Sequence, residues 1–216
     1  MSKLIAIMGE SGSGKTTAMR NLPPEQTYYV DADLKGLSWR GWKSQYNKEK
    51  KNYLANNDPQ YIRNVVLHGI SEARPNIKYI VIDTLNGIMV ADEMKRMEEK
   101  GYDKWVDLAT CVWELIDDAL TMRDDLTIIF LCHSQTDRDD SGYSFTRIKT
   151  SGKKLDKIVL ESKFTTVLLC KCVDGNHYFE VHADHSTAKT PLGAFEPAEK
   201  TIDNDIMEVI KRLEEF

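Results

Sequence analysis

The chain has 216 residues, 41% of them hydrophobic and 29% charged, with a formal net charge of −5. That composition suits one globular domain spanning residues 1–216 and excludes a whole-surface basic field for nucleic acid, so any DNA or RNA contact must come from a local patch or several subunits. No apolar run approaches the roughly 20 residues of a membrane span, and the short segment Met1–Met8 is no signal peptide, so the expected place is the cytoplasm, without a membrane partner.

Leu4–Met8 is a short continuous apolar run, the pattern of a strand buried on both faces. Gly9-Glu10-Ser11-Gly12-Ser13-Gly14-Lys15-Thr16 follows and matches G-x-x-x-x-G-K-[ST] at every fixed position. Glycines let the backbone curl so that successive N–H groups face a phosphate chain. With Thr17, these residues are the expected nucleotide-binding set. Lys15 can reach the β- and γ-phosphates, and the Thr16 hydroxyl can ligate Mg²⁺. Thr16–Asn21 reads as a helix whose positive end adds to the phosphate site, stopped by Pro23-Pro24.

Thr27–Val30 is a second strand, closed by Asp31-Ala32-Asp33. It is expected beside the P-loop strand, which would put Asp33, or Asp31, where a carboxylate orients the attacking water. A solvated turn is the other reading of these acids. Lys35–Asn57 reads as a partly helical insertion, in which Lys35, Arg40 and Lys43 alternate with Trp39, Trp42, Tyr46 and Tyr53. Asp58-Pro59 can start a helix reaching about Arg74.

Tyr79–Ile82 is a third buried strand ending in Asp83. A carboxylate at that tip can hold Mg²⁺, or alternatively cap the helix that follows. Two helices come next, split at Gly101, and the second buries Leu108, Val112, Leu115 and Ala119 at helical spacing. Leu126–Cys132 is a fourth strand ending at His133. That side chain can touch the γ-phosphate or the attacking water, or simply be satisfied by backbone.

Thr136–Gly152 is polar and turn-rich, with Tyr143–Ile148 as a hairpin arm. Arg147, Lys149, Lys153, Lys154 and Lys157 form a basic cluster beside Tyr143 and Phe145. Charge for phosphates and rings for bases suit single-stranded nucleic acid, while a solvated charged face is the plainer alternative. Leu155–Leu160 reads as a short helix. Thr165–Cys172 and Tyr178–Ala183 are strands around the turn signal Asp174-Gly175-Asn176. Ile202–Leu213 is an amphipathic closing helix. The four cysteines, Cys111, Cys132, Cys170 and Cys172, are expected as buried thiols, since Cys170-Lys171-Cys172 has no second pair at zinc spacing. The whole order predicts an α/β fold with a mainly parallel sheet, helices on both faces and an antiparallel C-terminal hairpin.

From Leu4 to about Phe195 the chain resembles the RecA-like P-loop ATPases, and within them the small phage-type nucleotide-binding ATPases linked to single-strand annealing and recombination. Tyr29-Val30-Asp31-Ala32-Asp33 is similar to their strand ending in Asp-x-Glu, which maps the catalytic base to Asp33. Asp83-Thr84 resembles their Asp followed by a small hydroxyl residue, and not the Asp-Glu of AAA+ proteins. Ile129–His133 matches the sensor strand. Lys189-Thr190-Pro191-Leu192-Gly193 looks like the Lys-x-Arg-x-Gly of ring helicases, with Pro191 in place of the finger Arg. The resemblance implies ATP and Mg²⁺ as cofactors. It further implies single-stranded DNA as a partner, a ring or filament of identical subunits, and, for a phage gene, the host cytoplasm. Lys189 would reach a neighbour's γ-phosphate, although a lysine at such a position is equally read as solvated. The catalytic set is then Lys15, Asp33, His133 and Lys189. A small-molecule P-loop kinase and a nucleotide-binding switch with little turnover are the alternative functions.

Overall fold

A computed structural model describes residues 1–101, 103–151 and 158–215. Among the described residues nine strands form one sheet in the order β3-β2-β4-β5-β1-β7-β8-β9, with β6 paired to the far end of β5. The strands are β1 (Lys3–Gly9), β2 (Thr27–Asp31), β3 (Tyr53–Ala55), β4 (Tyr79–Asp83), β5 (Thr127–Arg138), β6 (Ser144–Ile148), β7 (Thr166–Val173), β8 (Asn176–Glu180) and β9 (Thr201–Asp203). Pairs from β3 through β7 along this path are parallel, whereas β8, β9 and β6 pair antiparallel. The α/β architecture and the antiparallel extension expected from the sequence are both present.

The continuous apolar run of β1 follows from its central place. Leu4, Ala6 and Met8 enter one core layer and Ile5 and Ile7 the other, as the two-residue period of a strand requires. The first layer packs against the helix begun at α2 (Pro59–Tyr61), α4 (Leu85–Lys95) and α5 (Asp103–Thr121). The opposite layer packs against α6 (Ile206–Glu214), which buries Ile206, Val209 and Ile210. Full burial of each such side chain contributes roughly 1.5–3 kcal/mol, so both faces of β1 are fixed by packing. The tip of the strand, where the glycine-rich loop begins, inherits that rigidity.

Several expectations are corrected. The helix predicted at Thr16–Asn21 is only a 3-10 turn, Thr17–Met19. Pro23 and Pro24 leave too few residues for a longer helix, and so no helix dipole of consequence faces the loop. Strand β2 does not neighbour β1, because β4 and β5 lie between them. The insertion after β2 holds a short helix, α1 (Trp42–Gln45), and the strand β3, a three-residue edge too short to show a period. Ile202 lies in β9, and α6 starts later, where the Asp205 side chain accepts from the Met207 N–H at 3.0 Å. Half of the helix expected at Leu155–Leu160 lies outside the described residues, and a 3-10 turn spans Leu160–Lys163. The hairpin turn is as expected, with Asp174 and Gly175 at φ 50° and 78°, the pair of left-handed residues a two-residue turn demands.

The long helix also begins where the sequence places it. Asp58 caps it, accepting from the Tyr61 N–H at 2.9 Å. From α2 it continues as a π-helix, Ile62–Ile70, and ends as α3, Ser71–Ala73. Asp58→Ala is expected to lower stability by about 1 kcal/mol, the usual cost of an N-cap. Asp58→Asn should lose much less. Urea unfolding checks this through a lowered midpoint at unchanged slope.

Candidate nucleotide site

The glycine-rich loop is closed by contacts that admit no side chain. A Cβ on Gly9 would stand 2.6 Å from the Cys170 carbonyl oxygen and 2.6 Å from Ser13 Oγ. Gly14 adopts φ 104°, and its Cβ would meet His177 Nδ1 at 2.8 Å. Both positions therefore require glycine, one for close approach and one also for its backbone. The Ser13 carbonyl accepts from His177 Nδ1–H at 2.7 Å and from Cys170 Sγ at 3.1 Å. The β7–β8 hairpin thus anchors the loop from the side. Lys15 is buried and donates from Nζ to the Gly9 and Glu10 carbonyls, each at 2.8 Å. Burial lowers its ammonium pKa, partly offset by the nearby Cys170 and Asp83. The loop and Lys15 share one cleft with Thr16, Lys35, His133 and His177.

Under the loop lies a carboxylate with half its bonding capacity in use. Asp83 is 1% exposed. Its Oδ2 accepts from Thr16 Oγ1 and from the Tyr29 hydroxyl, both at 2.8 Å. Its Oδ1 is buried without a hydrogen-bond partner. Burial raises the carboxyl pKa while the two hydroxyl donors pull it down. Hard oxygen donors from Thr16 and Asp83, one of them orphaned, fit Mg²⁺. Among the described residues no group of three or more His, Cys, Asp or Glu could hold a metal. An ion here must bring phosphate and water oxygens to complete its shell, which is how Mg²⁺ binds beside nucleotides.

Asp31 and Asp33 have separate tasks. Asp31 accepts from the Gly36 N–H at 2.7 Å, from the Tyr53 hydroxyl at 2.7 Å and, more weakly, from the Lys35 N–H at 3.4 Å. It is a turn-forming residue turned away from chemistry. Asp33 lies beyond β2 and reaches the site sideways. Its Oδ1 accepts from the Thr84 hydroxyl at 2.9 Å, and its Oδ2 pairs with Lys35 Nζ at 2.6 Å. Burial alone would raise its pKa, but the Lys35 and Thr84 hydrogen bonds outweigh it and the net shift is downward. The carboxylate is therefore ionised, although β2 is three places from β1. His133 is half-buried at the end of the register Gly9↔His133, and burial, then Lys15, lower its pKa, which favours a neutral ring.

A family model described as an AAA domain matches residues 1–191. The chain belongs to the AAA domain family. No curated protein matches it. Membership makes the site that of a nucleotide-binding P-loop ATPase, and such ATPases generally bind ATP with Mg²⁺. In this AAA domain Asp83 is followed by Thr84 and not by Glu. Thr84 in turn donates to Asp33, two residues beyond the end of β2.

Among the described residues, Lys189, Arg147 and Lys149 do not line the cleft. Lys189 is exposed, and its backbone pairs with Val167 on β7, level with Ala6 and well below the loop. Arg147 is ion-paired with Asp137 across the β5–β6 hairpin. Lys149 is exposed. Lys153, Lys154 and Lys157 lie outside the described residues. The aromatic residues of the Lys35–Tyr53 segment are structural: Tyr46 is fully buried and packs edge-on to Tyr29 and Trp39. Cys132 and Cys170 are buried as expected, while Cys111 is half-buried and Cys172 is exposed at the hairpin.

Sequence reasoning missed Tyr29, Asn86 and His177 as site residues, and read Lys35 only as one of the basic residues of an insertion. Asn86 accepts from the His133 N–H at 2.7 Å and donates to the Lys149 carbonyl at 2.8 Å. Of these, only Lys35 carried a local signal, standing between Asp33 and Gly36. Lys15→Ala should weaken ATP binding by about 10–100-fold, since a hydrogen bond to a charged group contributes about 1.5–3 kcal/mol. Titration with a labelled ATP analogue reads this directly, and unchanged affinity would remove Lys15 from the site.

Proposed function

We propose that this AAA domain hydrolyses ATP at the Lys15–Thr16–Asp83 centre with Asp33 as the base, and uses that turnover on single-stranded DNA in phage-type recombination or annealing. The observation that carries the hydrolytic reading is the orphaned Oδ1 of Asp83 beside the Thr16 hydroxyl, with an ionised Asp33 one hydrogen bond away at Thr84. Mg²⁺ held by Thr16 and Asp83 would neutralise charge on the phosphates. Lys15 would bind the same phosphates. Asp33 would accept the proton of the attacking water, and His133 would orient that water or contact the γ-phosphate.

The DNA reading is supported by continuity. Strand β5 runs from the cleft at His133 to Arg138, paired with β6 along Ser134–Arg138. The Lys149 N–H donates to the His133 carbonyl at 2.8 Å. On the same hairpin Tyr143 is exposed and stacks on His185 at 4.9 Å and on Phe145 at 6.5 Å. An exposed ring at the hairpin tip and the exposed Lys149 at its base suit bases and phosphates. We further propose head-to-tail assembly, with Lys189 of one subunit facing the cleft of the next, in a cytoplasmic protein. No helix among the described residues is long and apolar enough to cross a membrane.

Asp33→Ala is expected to cut kcat by about 10²–10⁴-fold, the range for general-base loss, while nucleotide affinity stays near wild type. Steady-state ATPase assays with and without single-stranded DNA test both halves. Turnover that DNA stimulates, with a stimulation lost in Lys149→Glu, supports the reading. Turnover indifferent to DNA would remove the DNA half, and an Asp33→Ala protein at the wild-type rate would move the base elsewhere.

A further inference from the structure

Lys35 is held at the phosphate cleft by a turn built for the purpose. Strand β2 ends at Asp31, and the chain then reverses through Leu34 at φ 58° and Gly36 at φ 79°. A left-handed leucine is uncommon and needs support. Asp31 gives it, accepting from the N–H groups of Lys35 and Gly36 while the Tyr53 hydroxyl fixes the carboxylate from the edge strand. Gly36 admits no side chain, since its Cβ would stand 2.9 Å from Trp42 Cζ2. Four separate residues thus converge on one result, the direction in which Lys35 leaves the backbone.

That direction is into the cleft of Lys15, Thr16, Thr84 and His133. There Lys35 Nζ pairs with Asp33 at 2.6 Å, yet its side chain is 51% exposed against 17% for Asp33. The carboxylate is fixed and the ammonium is the movable partner. Among the described residues lining this cleft, Lys15 and Lys35 are the lysines, and there is no arginine. Pro191 occupies the place where the resemblance would put a finger Arg.

We propose that Lys35 is a cis-acting phosphate finger: it exchanges Asp33 for the γ-phosphate of bound ATP in its own subunit, stabilising the transferring group and releasing Asp33 to receive the water proton. This rests on the hydrolytic reading above. In the step, the bond from the γ-phosphorus to the bridging oxygen breaks as a water oxygen forms the new one, and the water proton passes to Asp33. Lys35 supplies only charge and hydrogen bonds. A cation that meets the γ-phosphate stabilises charge spread over its oxygens. The same contact distinguishes ATP from ADP, because ADP offers nothing for Lys35 to reach.

The test uses the full chain and three variants, Lys35→Ala, Lys35→Met and Lys35→Arg. Lys35→Ala and Lys35→Met should lower kcat by about 100-fold or more, as for loss of one preorganised donor. They should weaken binding of a non-hydrolysable ATP analogue while leaving ADP affinity unchanged, and Lys35→Arg should restore much of both. The loss should be the same at all protein concentrations and should not be recovered by mixing with Lys15→Ala subunits, whose own Lys35 is intact. Recovery on mixing would show that the lysine acts across subunits and would overturn the cis assignment. Equal loss of ATP-analogue and ADP affinity would reduce Lys35 to a structural role. A faster Lys35→Ala would mean that the ion pair restrains Asp33, which also overturns the proposal. Wild-type protein that neither binds nor hydrolyses ATP would instead sink the underlying hydrolytic reading.

Discussion

The buried carboxylate of Asp83 is the constraint on which the site depends. Removing a carboxylate from water costs several kcal/mol unless bonds replace the lost hydration. Here only one oxygen is compensated, by Thr16 and Tyr29, and the other is left bare. A ligand that reaches the bare oxygen would offset that cost. Its depth matters too. Through Leu131 on β5, Asp83 is level with Ile7, two residues below Gly9. The loop must therefore arch over the sheet and bring Thr16 back down to the carboxylate. That path is set by Gly9 and Gly14, the two positions where a side chain would collide with Cys170 or His177.

A second consequence concerns how the site is connected to the rest of the molecule. Asn86, three residues past Asp83, is 5% exposed and joins α4 to the hairpin by bonding both the His133 N–H and the Lys149 carbonyl. The Lys149 N–H returns to the His133 carbonyl. These three bonds close a ring between α4, β5 and the residue that follows β6. Displacing any member of this ring breaks a hydrogen bond that is costly to leave unmade.

Much of this was legible in the sequence, for identifiable reasons. The strands β1, β4 and β5 are buried on both faces, so they read as unbroken apolar runs. The loop glycines are forced by sterics, and the Asp58 cap and the Asp174-Gly175 turn are local chemistry. The misses have other causes. The order of strands in the sheet is a tertiary fact, so β2 was placed next to β1 when β4 and β5 intervene. Strands β3 and β9 are three residues each, too short for a period to show. The Lys35–Tyr53 segment showed no period because basic residues interrupt its aromatics, of which Tyr46 serves the core and Tyr53 the Asp31 turn. Lys35, Asn86 and His177 became site residues only when distant segments met, and nothing in local spacing marks Asn86 or His177.

The account stands or falls on Asp83 as half of a magnesium site completed by the nucleotide. The most direct measurement is the affinity for ATP with and without Mg²⁺, by calorimetry, in wild type and in Asp83→Asn. The substitution keeps the shape and removes the charge. Wild type should bind ATP more tightly, by at least about 10-fold, when Mg²⁺ is present, a difference of about 1.4 kcal/mol, and Asp83→Asn should lose most of that gain. An Asp83→Asn protein that keeps the full magnesium enhancement would contradict the account.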